Sequence, residues 1–234
     1  MRVTLGGDEL GGFALDDPAA SVRLLLPSPG EQEPVLPDWN GNEFLLPGGR
    51  RPAIRTLTPR RFDPATIELD VEVVLHGEGV AAAWAAGATP GDPVAVSGPG
   101  RGYAIPDAPT FLVAGDESAI PAISQLLERM PADRHLDVHV EVAHSDARLP
   151  LPGHSGATVT WHDLPAGAPP GDALVAAVRG ATVDGGTRVW AAGEAAAVQR
   201  IRKHLFDELG LPRSATTVRG YWKHGRAGEA ADDA

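Results

Sequence analysis

Apolar and polar positions along the chain follow two different patterns. In the first part, RVTL, SVRLLLP, AIRTLT, TIELDVEVVLH and PVAVSGP are short β-branched or alternating runs. GGDELGG, SPGEQEP and ATPGDP lie between them, the Gly, Pro and Asp punctuation that ends strands. In TIELDVEVVLH, Ile67, Leu69, Val71 and Val73 fall on one face and Glu68, Asp70 and Glu72 on the other. Short runs at this spacing predict a small antiparallel barrel. GVAAAWAAG, residues 79–87, breaks the alternation and predicts a short helix capping that barrel.

From Thr110 the pattern changes. TFLVAGD is a continuous apolar run ending in a glycine turn, and ESAIPAISQLLERMP has helical periodicity. HLDVHVEVAH and ATVTWHDL read as strands, DALVAAVRGAT as a helix and TRVWAAGE as a strand entering a turn. AAAVQRIRKHLFDELG is an amphipathic helix with Val198, Ile201, Leu205 and Leu209 on one stripe, stopped by Gly210 and Pro212. Strands alternating with helices predict a parallel, doubly wound sheet. GPGRGYAIPDAP, residues 98–109, is a Gly/Pro-rich connector. The expectation is therefore a two-domain α/β protein: an antiparallel β-barrel over 1–105, an α/β domain over 106–225 and a disordered polar tail over 226–234.

Composition narrows the function classes. The 234 residues are 43% hydrophobic and 22% charged, as in ordinary globular proteins. A net charge of −11 argues against a nucleic-acid partner, which calls for a basic face. With no cysteine, disulfides and thiolate metal sites are excluded. No apolar run reaches the roughly 20 residues of a membrane helix. MRVTLGGDELGGF lacks the apolar core of a signal peptide. The expectation is a cytoplasmic monomer with no resident metal and no membrane contact.

Three segments carry candidate chemistry. PAIRTLTPRRFD, residues 52–63, gathers Arg55, Arg60 and Arg61 around two hydroxyls. If extended, it puts Thr56 and Thr58 on one face and Arg55 and Leu57 on the other, which suits a solvated edge strand or an anionic, flat ligand. FLVAGDESAIPAI puts Gly115, Asp116, Glu117 and Ser118 on a strand–helix turn where free N–H groups can hold an anion, and VWAAGEAAAV repeats this with Gly193 and Glu194. Neither completes a GxGxxG fingerprint, and a turn that merely needs glycine explains each equally well. In LHGEGVAAAWA, His76 ends a strand, Gly77 and Gly79 permit close approach, and the following helix offers its N-terminus to a phosphate. His135 and His139 are about 13 Å apart on one strand, so with His144 they predict a solvated or loop-covered face and no metal site.

In order, RTLTPRRFD, VVLHGEGVAAAWA, GDPVAVSGPG, FLVAGDESAIPAI, WAAGEAAAVQRIRKHL and RGYWKHGRAGEA resemble the siderophore-interacting protein family. Its members are FAD-containing ferric-siderophore reductases related in fold to the ferredoxin-NADP reductases. The resemblance spans about Arg2 to Gly228. It implies that the R-x-Y-T flavin motif falls on Arg55, Thr56, Leu57 and Thr58, with Arg55 at the pyrophosphate, residue 57 on the isoalloxazine and Thr58 near N5. His76, Gly77 and the segment Gly79, Ala81, Ala82 to Trp84 would hold the rest of the FAD. Asp116, Glu117 and Ser118 would lie by the site where NADH or NADPH delivers hydride, with ferredoxin as the other donor class. Trp222, in GYWKHG, would return toward the flavin, with Lys223 and Arg219 meeting an anionic ferric siderophore.

Two departures stand out. Leu57 occupies the family's aromatic position, which removes stacking worth ~0.5–1.5 kcal/mol. The resemblance also begins at MRVTL, at what corresponds to the second strand of the family's barrel. Both departures leave open a flavin-poor siderophore binder without reductase activity. A general NAD(P)H:flavin reductase on the same fold is the enzymatic alternative.

Overall fold

The computed structural model describes residues 1–28, 30–75 and 79–225. His76, Gly77 and the tail 226–234, where the sequence puts ligand contacts and disorder, lie outside the described residues. The chain forms two compact units, one of Met1–Asp16 with Ala20–Gly102, the other of Asp17–Ala19 with the residues from Tyr103 onward.

The first unit contains β1 (Arg2–Gly6), β2 (Val22–Leu26), β3 (Asp38–Trp39), β4 (Phe44–Leu45), β5 (Ala53–Leu57), β6 (Pro59–Asp63), β7 (Glu68–Glu72), α1 (Val80–Gly87) and β8 (Ala95–Val96). Its described strand pairs are all antiparallel. They form sheets of order β1-β7-β6 and β5-β2-β8 and a β3-β4 hairpin. The two larger sheets share one core of Leu5, Leu10, Val22, Leu24, Leu26, Leu69 and Val71. The alternation of β7 holds, since Leu69 and Val71 are fully buried. Asp70 is buried as well, because Thr4 Oγ1 donates to its Oδ1 at 2.7 Å.

Residues 53–63 depart from a single extended face. β5 ends at Leu57, and β6 joins the other sheet. Thr58 sits in the crossing between them and is buried, whereas Thr56 is exposed on β5. The two hydroxyls therefore do not share one open surface.

The second unit is a five-stranded parallel sheet of order β11-β10-β9-β12-β13. Its strands are β9 (Thr110–Gly115), β10 (His135–Val142), β11 (Ala157–Asp163), β12 (Arg188–Glu194) and β13 (Thr216–Trp222). Helix α2 (Ile120–Arg129) packs on one face with Phe111, Val113, Val138, Val140 and Trp190. On the other face, α3 (Asp172–Gly180) and α4 (Ala195–Lys203) pack with Leu112, Ala114, Val189 and Ala191. This is the doubly wound arrangement, and it explains why β9 and β12 are apolar on both faces. Pro18 and Ala19 join this unit through Tyr103 N–H to Pro18 O and Ala19 N–H to Gln125 Oε1, both 2.7 Å.

One expectation fails and another holds only in part, both for tertiary reasons. The stripe on α4 buries Val198, Ile201 and Leu205, but Leu209 is 44% exposed. A π-type turn over His204–Glu208 inserts extra rotation before Gly210 ends the helix at φ +67°. The polar face of β10 is solvated only at its start, where His135 is exposed and the Asp137 side chain is 43% exposed. Register sets Asp137 and His139 beside Leu112 and Ala114, on the face that α3 and α4 cover. There His139 Nδ1 lies 2.9 Å from His162 Nε2 of β11, and Glu141 is 2% exposed. Among the described residues, no helix is long and apolar enough to cross a membrane.

Candidate cofactor and substrate sites

In the first unit, β5 runs antiparallel to β2 with Arg55 opposite Leu24, Thr56 opposite Arg23 and Leu57 opposite Val22. Leu57 is half-buried and packs on the core that also takes Ala81 and Trp84 of α1. The Arg55 guanidinium is half-buried, and its Nη1 donates to Ile54 O at 2.7 Å. Burial alone lowers its pKa below the ordinary arginine value. Among the described residues it has no carboxylate partner. Arg61 differs, facing Asp70 at 3.8 Å and Asp63 at 4.0 Å, so much of its field is neutralised locally. The positive potential expected at 55–61 is thus reduced at Arg61, while Arg55 keeps its charge without a carboxylate beside it among the described residues.

Helix α1 begins after Gly79, which is extended and gives no side-chain cap. No acidic residue lies in its first turn. Among the described residues nothing caps its leading N–H groups, whose partial positive charge suits an anion. Ala82 is buried and Trp84 half-buried, which fastens the helix to the unit's core.

In the second unit, the carboxyl ends of the strands carry buried acids. Asp116, 2% exposed, follows β9. Its Oδ1 accepts from Ser118 N–H at 2.9 Å and Ser118 Oγ at 2.5 Å. Its Oδ2 accepts from Glu194 N–H and from Trp222 Nε1, each at 2.8 Å. Burial pushes its pKa up to about 6, opposed by the Ser118 and Trp222 hydrogen bonds and assisted by nearby Glu117. Glu194, 3% exposed, caps α4 by accepting from Ala197 N–H at 2.9 Å, and its Oε1 accepts from His224 N–H at 3.2 Å. Glu141 reaches from β10 to cap α3, accepting from Gly171 N–H at 2.6 Å and Leu174 N–H at 2.8 Å. Burial raises its pKa too. Glu117 accepts from Ala143 N–H.

Both strand–helix turns that the sequence marks as anion sites in this unit therefore hold a carboxylate of the chain. Asp116, Glu117 and Ser118 all spend hydrogen bonds on the protein itself. The glycines have a packing reason. A Cβ on Gly115 would lie 2.5 Å from Ala119 Cβ, and one on Gly193 would lie 2.5 Å from Asp116 Oδ2. The structure also brings Trp222 onto Asp116, across 106 positions of sequence. Lys223 is exposed beside it, and Arg219 is half-buried on β13. Glu141 was the least visible participant. Its only signal was an acid in the middle of an apolar strand, VHVEVAH.

Comparison with known proteins accounts for both units. Residues 1–103 match the family model described as a siderophore-interacting FAD-binding domain, and residues 108–225 the one described as siderophore-interacting protein. An uncharacterized protein of Mycobacterium tuberculosis is 40% identical, over 98% of this chain and 87% of the relative. The ferric vibriobactin reductase ViuB of Vibrio cholerae is 32% identical, over 98% of this chain and 86% of the relative. The crystal structure of a siderophore utilization protein from T. fusca superposes with a TM-score of 0.80 at 33% identity, covering 97% of this chain and 88% of that one. A Neisseria gonorrhoeae ferredoxin NADP+ reductase, 15% identical with a TM-score of 0.63, shares the fold.

Proposed function

Because the chain belongs to the siderophore-interacting protein family, we propose that it is an FAD-dependent ferric-siderophore reductase. The observation that carries this reading is Arg55, a half-desolvated guanidinium on β5 with no carboxylate partner among the described residues. Such a charge is costly unless an anion meets it. A flavin pyrophosphate supplies that anion through charge-assisted hydrogen bonds. The N-terminus of α1, without a side-chain cap among the described residues, offers a second anion contact. These residues fit FAD. Leu57 gives the ring an apolar contact without aromatic stacking, and Thr58 would serve the ring edge from a largely buried position.

Bound there, FAD would accept a hydride and pass electrons singly to the substrate, chemistry that belongs to the cofactor. The substrate would be an Fe(III) chelate with hard oxygen ligands. Reduction to Fe(II) weakens those bonds and releases the metal. The chain's own task is to dock an anionic chelate, for which the exposed Lys223, with Arg219, is the candidate. Electrons would come from NADH, NADPH or reduced ferredoxin. The residues fit a pyridine nucleotide less well than FAD, because Asp116, Glu141 and Glu194 already fill the N-terminal turns at the edge of the parallel sheet. Among the described residues, α3 and α4 are closed in this way, and α2 is preceded by a short 3-10 turn that Asp116 caps.

The test is the visible spectrum of the purified protein before and after FAD reconstitution, followed by anaerobic assay with a ferric siderophore and an Fe(II) trap. Flavin absorbance and chelate-dependent Fe(II) release are expected. A reconstituted yellow protein that oxidises NADH or NADPH equally fast without the chelate would point instead to a general flavin reductase. A protein that takes up no flavin yet binds the chelate would be the siderophore binder.

A further inference from the structure

We propose that Asp116 is a positioning residue for the chelate-docking end of β13, acting through Trp222, rather than a ligand for the electron donor. This rests on the reading of Lys223 as a substrate contact. An ionised carboxylate has about four acceptor positions. All four on Asp116 are filled from within the unit: two by Ser118, one by Glu194 N–H and one by the Trp222 indole. None is left for a ribose hydroxyl or an amide of a nucleotide.

The bonds converge on one segment. Where β13 passes β12, register slips between Gly193 and Glu194, so that Gly193 pairs with Gly220 but Glu194 pairs with Trp222. The extra residue, Tyr221, is the bulge, and a bulge re-aims the side chains beside it. Here it turns the Trp222 indole onto Asp116 Oδ2. Two positions on, His224 N–H is held by Glu194 Oε1 at 3.2 Å. Lys223 is thus exposed between two residues that are both tied to buried carboxylates. Burying two acids costs free energy unless donors saturate them. Their common effect is to fix where Lys223 starts its reach.

Asp116→Asn and Trp222→Phe test this on the full-length, FAD-reconstituted protein. Asn keeps the volume but replaces one acceptor oxygen by a donor, and Phe removes the indole N–H while leaving Asp116 its other partners. The Trp222 indole N–H resonance, identified by its loss in Trp222→Phe, should shift in Asp116→Asn. The KM for an anionic ferric chelate should rise roughly threefold to tenfold in either variant, the worth of about one hydrogen bond. The double variant should add little to either single one. In Asp116→Asn, flavin content and the KM for the reduced donor should hold.

An indole resonance that stays in place in Asp116→Asn overturns the proposal, and so does a rise in the donor KM with the chelate KM unchanged. Equilibrium binding of the redox-inert gallium(III) chelate separates the two levels of the reading. If the wild type binds that chelate but does not reduce the ferric one, the reductase assignment fails, and the positioning role is then judged by gallium-chelate affinity. If the wild type does not bind it, the docking role of Lys223 and this proposal fall together.

Discussion

Arg55 and Asp116 are both buried against the preference of their charge, and they resolve it oppositely. Arg55 keeps a half-buried guanidinium with only a backbone carbonyl beside it among the described residues. Arg55→Ala should therefore weaken FAD roughly tenfold to a hundredfold, the loss of one charge-assisted contact, while Arg55→Lys should retain part of it. Flavin titration monitored by absorbance measures this, and unchanged occupancy in Arg55→Ala would remove the motif from the cofactor site. Leu57→Tyr should tighten FAD by up to roughly tenfold by restoring a stacking ring. The same titration checks it. Asp116 is saturated, yet its pKa stands at about 6, above the ordinary 3.8. Its native carboxyl therefore holds a proton that the unfolded chain has already released. Stability contributed by this residue should fall as pH rises from about 4 to about 6, by up to roughly 3 kcal/mol, and be flat above that. Urea midpoints across pH 4–8 would show this slope in the wild type and its flattening in Asp116→Asn.

At the level of elements, the sheet's carboxyl edge shows how strand, turn and helix depend on one glycine. Gly193 adopts φ +154°, and a Cβ there would come within 2.5 Å of Asp116 Oδ2 and 2.9 Å of its Cγ. Gly193→Ala should push Asp116 off the end of β12 and cost roughly 1–3 kcal/mol of stability. It should also disturb the Trp222 indole environment, because the same Oδ2 holds both groups. Urea denaturation and the Trp222 indole resonance read the two effects. The strand–turn–helix character of FLVAGDESAIPAI and VWAAGEAAAV was plain from their apolar runs and glycines. What filled the helix N-termini was not. Glu194 caps its own helix, a local contact that GEAAAV could suggest, but Glu141 caps α3 from 30 residues upstream. Likewise His139 sits on an alternating strand that looks half-solvated, and only the pairing of β10 with β11 and the cover of α3 and α4 bring His162 to it.

Across the whole molecule, a net charge of −11 coexists with a proposed anionic substrate, so docking must depend on local potential. Lys223→Ala should raise the KM for an anionic ferric chelate roughly threefold to tenfold at low salt and less at high salt, with little effect on a neutral chelate. Steady-state kinetics at two ionic strengths tests this, and an unchanged KM at low salt would take Lys223 out of the docking site. The sequence by itself determined the two grammars of the chain, most of the strands and helices, the family and the position of the Arg55 motif. Those features rest on periodicity, turn residues and short motifs, which are local properties. Tertiary structure decided that Thr56 and Thr58 part company between two sheets, that Leu209 faces water, and that the expected anion turns hold carboxylates. The donors of Asp116 include groups 78 and 106 positions away. They meet only because the sheet orders β9, β12 and β13 side by side with a bulge between the last two. Strand order and register arise from packing both faces of the sheet at once, and no stretch of sequence encodes them alone.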